Sequence, residues 1–184
     1  MYLRAVLLLF FALAPSAGAG ATVWRTVPEQ SEISFEATQM GGKFTGRFSE
    51  FQADIRFDPS NLADASATVL VAIASVDTRN EDRDAQIVGP DWFDSAAFPQ
   101  ARFQTTAFRR DGERYVATAR LTLRDVTRTV ELPFTLELED GNAAMTGELV
   151  VSRTEFGIGR GQWTDTAVVG DAVTIRIRLR ASAD

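Results

Sequence analysis

ELPFTLELE, residues 131–139, shows the clearest alternation of apolar and polar side chains in the sequence. Leucine or phenylalanine occupies every second position, and glutamate, threonine or proline occupies the positions between them. Because successive side chains of a β-strand point to opposite faces, this pattern predicts a strand with one buried face. YVATARLTL (115–123) and VTIRIRLRA (173–181) repeat the pattern with few errors. The chain is therefore predicted to be built mainly from half-buried strands.

Turn signals separate these strands from their neighbours. Asp111-Gly112 and Asp140-Gly141 are dipeptides typical of hairpin turns. We predict further strands at 31–37, 44–57, 67–76, from residue 103, and at 143–152. About eight antiparallel strands in one all-β domain suit either a closed barrel or a sandwich. Within 44–57 the apolar positions switch parity, which predicts a β-bulge near Ser49-Glu50.

A short helix and an aromatic loop are predicted between the two halves of this β pattern. Residues 78–88 lack alternation and carry early acids, so Thr78 or Asn80 is expected to cap a helix there. GPDWFDSAAFPQARF (89–103) follows, with four aromatic rings cut by acids and a proline. We interpret Trp92, Phe93 and Phe98 as a lid on an apolar lumen. The alternative is a hydrophobic plug at one end of a barrel.

The first 21 residues have the layout of a secretory signal peptide. A basic Arg4 precedes an apolar run at 5–13, and small residues follow. The apolar run is too short to span a bilayer as a stable helix, so the mature chain is expected to have no transmembrane segment. We therefore predict a signal peptide at 1–21 and one domain at 22–184.

Composition excludes several kinds of chemistry. The chain has no cysteine and no histidine, which removes Cys nucleophiles, His bases and zinc sites built on those ligands. The net charge is −6 and no basic run is present, so nucleic acid is not an expected partner. Asp82 with Asp84, or Asp91 with Asp94, are candidate acid–base pairs, but acids in such places normally cap helices and turns. We predict no catalytic residue, no metal site and no cofactor.

The phenylalanines carry more information than the charged residues. There are 13, and many fall on the inward parity of the predicted strands. A closed eight-stranded barrel either fills its interior with side chains or leaves room for one small ligand. The residue pattern leaves both options open.

An ordered set of short motifs resembles the YceI-like family, the exported lipid- and polyisoprenoid-binding β-barrels. The motifs are FDP (57–59), WFD (92–94), FP (98–99), LTLRDVTRTVELP (121–133) and SRTEFGIG (152–159). The resemblance implies an eight-stranded, antiparallel, lipocalin-like barrel that holds a long isoprenoid or fatty lipid. It also implies a periplasmic location and a role in binding or transfer, for example of an isoprenoid quinone. Some relatives accompany membrane b-type cytochromes, so such a cytochrome is an expected partner.

This sequence departs from the family where relatives often have a histidine in the first strands. EATQMGGKF stands there instead, with Gln39 nearby. If that histidine helps to hold a headgroup in relatives, this protein holds its ligand differently.

From parity and resemblance together we predict a set of residues that contact the lipid. They are Phe35, Phe48, Phe51, Ile55, Phe57, Val71, Trp92, Phe93, Phe98, Phe103, Leu121, Phe134, Leu136, Arg153 and Phe156. Arg153 or Arg83 is the expected contact for a polar headgroup. Two other functions stay open: a stress-response or interaction protein with a solid core, and an enzyme that uses a buried carboxylate on an apolar substrate. The oligomeric state is open too, with a dimer among the options.

Overall fold

The computed structural model describes residues 21–184, most of which lie in antiparallel strands. The predicted signal peptide, except for its last residue, lies outside the described residues. The strands are β1 (Val23–Thr26), β2 (Glu32–Gln39), β3 (Gly42–Phe48), β4 (Phe51–Arg56), β5 (Ser66–Ala72), β6 (Val76–Asp77), β7 (Gln100–Asp111), β8 (Arg114–Leu123), β9 (Val126–Glu139), β10 (Asn142–Ser152) and β11 (Ala172–Ala183). The one α-helix among these residues is α1 (Glu81–Ile87), and short 3₁₀ turns lie at Pro28–Gln30, Ile73–Ser75, Thr154–Phe156 and Gly161–Thr164.

The strands close into an antiparallel barrel. β1 pairs with β4 on one side and with the end of β11 on the other, which joins the two edges of the sheet. Three barrel strands are each built from two pieces, β1 with β2, β3 with β4, and β5 with β6. The eleven pieces therefore make eight long strands, and the predicted fold is confirmed.

A break, and not the predicted bulge, separates β3 from β4. The Ser49 amide donates to the Ser75 carbonyl at 3.1 Å, and the Ala72 amide donates to the Glu50 carbonyl at 3.0 Å. These bonds replace the ladder because the two pieces pair with different parts of the next strand, β3 with β6 and β4 with β5. A register shift does occur in β7, between Thr105 and Ala107, where the sequence pattern had not indicated one.

The two ends of the barrel differ in construction. At one end, here called the closed end, tight turns join β7 to β8 and β9 to β10, with Gly112 and Gly141 at positive φ as the turn dipeptides predict. At the other, the lid end, lie α1, the aromatic loop (residues 88–99) and the β10–β11 connection (residues 153–171). The Asn80 side chain accepts from the Arg83 amide at 2.9 Å, which confirms it as the helix cap.

The inward faces form the core as the alternation predicts. Leu132 and Phe134 of β9 are buried, whereas Leu138 is 43% exposed because it reaches the rim of the closed end. On β8, Ala117 and Ala119 are almost fully buried. Within residues 21–184, no helix has the length and apolar character needed to cross a bilayer.

Candidate ligand-binding site

The barrel encloses a cavity of about 280 Å³. Its wall comes from strands all around the barrel and consists almost entirely of apolar side chains. A volume of this size lies near the lower limit of ligand pockets in proteins. Of the two options left open by the sequence, the filled interior and the open lumen, the structure has the open lumen.

A cluster of aromatic rings forms the floor of the cavity at the closed end. Phe57 lies at the centre, with ring centroids 5.3 Å from Phe108, 5.3 Å from Tyr115 and 6.0 Å from Phe134. The Trp24 indole donates to the Phe57 carbonyl at 2.9 Å, which satisfies a polar group in a buried place. These edge-to-face contacts close this end of the cavity.

The cavity wall near the lid end carries a second group of aromatic rings. Phe35 packs against Phe44 at 6.2 Å and against Phe48 at 5.6 Å, and Phe48 meets Phe93 of the aromatic loop at 6.4 Å. Gly46 of β3 faces this group, and a Cβ there would lie 2.4 Å from the Phe35 ring. The glycine is needed because the Phe35 ring occupies the space of its missing side chain.

The aromatic loop covers the cavity with two of its three predicted rings. Trp92 and Phe93 line the cavity, and Trp92 packs on Trp163 of the β10–β11 connection at 5.7 Å. Phe98 lies away from the cavity, 5.6 Å from the Arg124 guanidinium. The cavity next to Trp92 and Phe93 agrees with the lid interpretation and not with a plug in a filled core.

Arg124 ties the aromatic loop to the turn between β8 and β9. Its guanidinium is buried, donates to the Pro90 carbonyl at 2.8 Å and to the Trp92 carbonyl, and lies 3.6 Å from the Asp94 carboxylate. Loop carbonyls that have no ladder partner need such donors when they are buried. Asp94, one of the candidate acids in the sequence, therefore has a structural partner.

Arg153 does the same for the β10–β11 connection. Its side chain is buried, with the whole residue 3% exposed, and its guanidinium makes five hydrogen bonds of 2.7 to 3.4 Å. The accepting carbonyls belong to Ile158, Gly159, Trp163, Val169 and Gly170. Burial lowers the pKa of Arg153, and the charge of Asp171 acts in the opposite direction. An arginine has five N–H donors, so those of Arg153 are taken up by the backbone.

Arg83 of α1 lines the same end of the cavity but is bound differently. It donates to the Thr78 hydroxyl at 2.9 Å, to the Thr78 carbonyl at 3.1 Å and to the Gln39 amide oxygen at 3.4 Å. Its guanidinium lies over the Phe44 ring at 4.1 Å. Gln39 and the exposed Gln86 line the cavity beside it. Together with Arg153, these three residues are a polar part of the cavity wall at the lid end.

Most of the predicted contact residues lie on the cavity wall. The wall includes Phe35, Phe48, Ile55, Phe57, Val71, Trp92, Phe93, Phe103, Leu121, Phe134, Leu136 and Arg153. Phe51, Phe98 and Phe156 lie off it, and Phe156 is packed into the core at 2% exposed. Whether the wall residues contact a ligand stays a prediction.

Sequence reasoning missed several wall residues for identifiable reasons. Phe108 has the opposite parity to Phe103, and only the register shift in β7 turns both rings inward. Phe44 and Trp24 fall on strands interrupted by breaks, where parity does not continue from one piece to the next. Phe44 could have been found from the alternation within GKFTGRF alone, which places it with Phe48.

The cavity wall, as far as residues 21–184 describe it, carries no carboxylate. Asp84, a second candidate acid, accepts hydrogen bonds from the Thr78 amide at 2.9 Å and the Thr78 hydroxyl at 2.6 Å. A carboxylate that acts on an apolar substrate would have to reach the lumen. The enzyme hypothesis therefore gains no support from the geometry.

The sequence also matches a known family and several known proteins. Residues 24–181 match the YceI-like domain family. The chain is 36% identical over 101 residues to a UPF0312 protein of Photorhabdus laumondii, and this match spans 54% of the chain and about half of that relative, 53%. It is 30% identical over 129 residues to protein YceI of Escherichia coli O157:H7, covering 68% of each.

Two solved structures share the barrel. BcnA of Burkholderia cenocepacia is 33% identical, with a TM-score of 0.83 over 86% of this chain and 100% of that chain. A polyisoprenoid binding domain from Saccharophagus degradans is 16% identical, with a TM-score of 0.68 over 90% of this chain and 100% of that chain. At that identity the second likeness concerns the fold.

Proposed function

This chain belongs to the YceI-like family, and from that premise we propose that it is a non-enzymatic binding protein for a long-chain lipid. The lipid is a polyisoprenoid, such as an isoprenoid quinone, or another long aliphatic chain. It lies in the lumen of the barrel between the ring cluster of the closed end and the lid end.

The observation that carries this proposal is the apolar cavity of about 280 Å³. Each methylene group that moves from water into such a wall contributes about 0.8 kcal/mol. Affinity then grows with the length of the chain and needs no reactive side chain. The Saccharophagus degradans barrel, which is described as polyisoprenoid-binding, supports the idea that this fold can hold such a chain.

The location of the protein belongs to the same proposal. Residues 1–21 act as a cleaved signal peptide, and residues 22–184 work as one lipid-binding domain in the periplasm. There the protein stores or transfers its lipid, with a membrane b-type cytochrome as a partner if the lipid is a quinone. The basic start, apolar run and small residues at the N-terminus support export.

Lipid extraction tests the proposal directly. The protein is produced with its own signal in a Gram-negative periplasm, purified without detergent and extracted with organic solvent for mass spectrometry. We expect an isoprenoid or other long-chain lipid at about one molecule per chain. An empty protein that also takes up no added quinone or fatty acid would contradict the proposal and favour a surface-interaction role.

A matched pair of variants localises any bound lipid. Ala101→Phe puts a large ring on the cavity wall, whereas Ala107→Phe puts the same ring on an exposed position of the same strand. We expect the first to reduce bound lipid several-fold and the second to leave it unchanged. Urea unfolding of both variants separates a filled lumen from a loss of folding.

A further inference from the structure

In the part of the chain that the structure describes, three polar side chains with hydrogen-bond donors to spare line the cavity at its lid end. Arg83 and Gln86 come from α1, and Gln39 ends β2. Thr105 also lines the wall, but its hydroxyl donates to the Ala67 carbonyl at 3.2 Å and accepts from the Ala67 amide at 2.8 Å. The long walls thus bind hydrocarbon, and one end offers polar contacts.

Two arginines line the cavity wall at this end, and of these two Arg83 has donors left. Arg153 directs its guanidinium at five backbone carbonyls. Arg83 makes three hydrogen bonds, one from each of its nitrogens. Since a guanidinium has five N–H groups, one N–H on each terminal nitrogen of Arg83 has no partner among residues 21–184.

Within residues 21–184 the charge of Arg83 is compensated only indirectly, through the Thr78 hydroxyl, which accepts from Arg83 at 2.9 Å and donates to the Asp84 carboxylate at 2.6 Å. Among these residues Arg83 forms no ion pair within 4.0 Å. The carboxylate of its neighbour Asp84 is held by the amide and hydroxyl of Thr78. A cation beside an apolar lumen favours an anion, because the low local dielectric strengthens their attraction and charge-assisted hydrogen bonds are the strong ones.

We propose that Arg83, Gln39 and Gln86 form a headgroup subsite for an anionic oxygen group, a carboxylate or a phosphate, on a lipid whose chain lies in the lumen. The inference rests on the proposed function and names the class of lipid. The Gln39 oxygen accepts from Arg83 at 3.4 Å, and the amide nitrogen of Gln39 has no acceptor within the described residues. The exposed Gln86 amide adds a donor at the rim, where water can reach the head.

Four lipids test the subsite in two matched pairs. Palmitate is compared with hexadecanol, and geranylgeranyl phosphate with geranylgeraniol, by titration calorimetry at pH 8. Each pair keeps the chain and changes the head. We expect each anion to bind about tenfold more tightly than its alcohol, the size of effect expected of hydrogen bonds to a charged group. The tighter of the two anions identifies the head as carboxylate or phosphate.

Three variants assign the preference to Arg83. Arg83→Gln removes the charge, and Gln39→Glu adds a carboxylate of the same shape next to Arg83 that competes with the ligand's head. Arg79→Gln is the control, because Arg79 is exposed and off the cavity wall. The anion preference should disappear in the first two variants and persist in the third. Urea unfolding of each variant shows whether the barrel is still folded.

The outcomes distinguish a failure of the headgroup subsite from a failure of the proposed lipid-binding function. If all four lipids bind the natural protein equally, or if Arg83→Gln keeps the preference, the headgroup subsite is wrong and the binding function stands. If none of the four lipids binds, both the proposed function and the headgroup subsite are wrong.

Discussion

The two ends of this barrel are covered by different interactions, ring packing at the closed end and hydrogen-bonded loops at the lid end. At the closed end, Phe57 packs on Phe108, Tyr115 and Phe134, and hydrocarbon contact seals the lumen. At the lid end, the chain runs in loops whose carbonyls lack strand partners. Buried donors from Arg124 and Arg153 hold those loops in place.

The difference shows which end can open. Ring packing at the closed end is backed by the strand ladders of β7, β8 and β9, so movement there would break the barrel itself. The loops of the lid end are held by hydrogen bonds and by ring contacts such as that of Trp92 with Trp163, and they can move without breaking a strand ladder. Regions with few ladder bonds are the ones that open locally in proteins. We therefore expect lipid to exchange through the lid end.

The largest effect should come from removing the centre of the floor. Phe57→Ala deletes a buried ring that contacts three others, and we expect a loss of about 4 kcal/mol in the free energy of unfolding. Urea denaturation measures it. Phe51→Ala is the control, because Phe51 is half-buried and off the cavity wall, and it should cost clearly less. Equal losses would mean that the ring cluster around Phe57 contributes no more to the free energy of unfolding than a half-buried ring does.

Removal of the arginine inside the β10–β11 connection should have the next largest effect. Arg153→Met keeps much of the volume but leaves five carbonyls without their donor, and we expect a loss of about 3 kcal/mol. Lipid release, followed by transfer to vesicles, should become faster than in Phe57→Ala. The control is Arg160→Met, an exposed arginine of the same connection. Release at the natural rate from Arg153→Met would contradict exchange through this end.

The sequence predicted the parts of the fold that depend on local pattern. Alternation is a property of neighbouring residues, so β8, β9 and β11 and their inward faces were recognised. The Asn80 cap was found for the same reason, since a cap acts within four residues.

Other features depend on contacts between distant residues and could not be predicted from one segment. Three strands are interrupted where their pieces pair with different pieces of an adjacent strand, as β3 does with β6 and β4 with β5. Phe108 turns inward only through the shift in β7. Gly46 is required by the ring of Phe35, its partner on the adjacent strand. Arg153 looked like a headgroup contact, but the loop that folds around it takes all its donors.

A smaller effect should follow from loosening α1 at the lid end. Asn80→Ala removes the acceptor of the Arg83 amide, and we expect a loss of about 1 kcal/mol. Asn80→Asp restores a capping oxygen and should recover most of it. Because α1 carries Arg83, Asn80→Ala should also weaken anion binding more than alcohol binding. An equal loss for both heads would show that the helix does not position the subsite.

The smallest effect should be a pH dependence at the base of the β10–β11 connection. The Asp171 carboxylate accepts from the Thr154 hydroxyl at 2.7 Å and from its amide at 3.0 Å. Burial alone would raise the pKa of Asp171, but the hydrogen bonds from Thr154 and Ser152 and the charge of Arg153 hold it below the ordinary value of 3.8.

A carboxyl group whose pKa is lowered by folding stabilises the protein in its ionised form. The contribution of Asp171 is therefore fully present well above pH 3.8 and is lost as the pH falls through the lower pKa of the folded state. Unfolding of the natural protein and of Asp171→Asn should differ by a constant amount at neutral pH, and the difference should shrink below about pH 4. Thr154→Val, which removes the hydroxyl donor, should reduce the same difference at neutral pH. A gap between the natural protein and Asp171→Asn that is unchanged down to pH 2 would show that Asp171 holds the lid end by shape and not by charge.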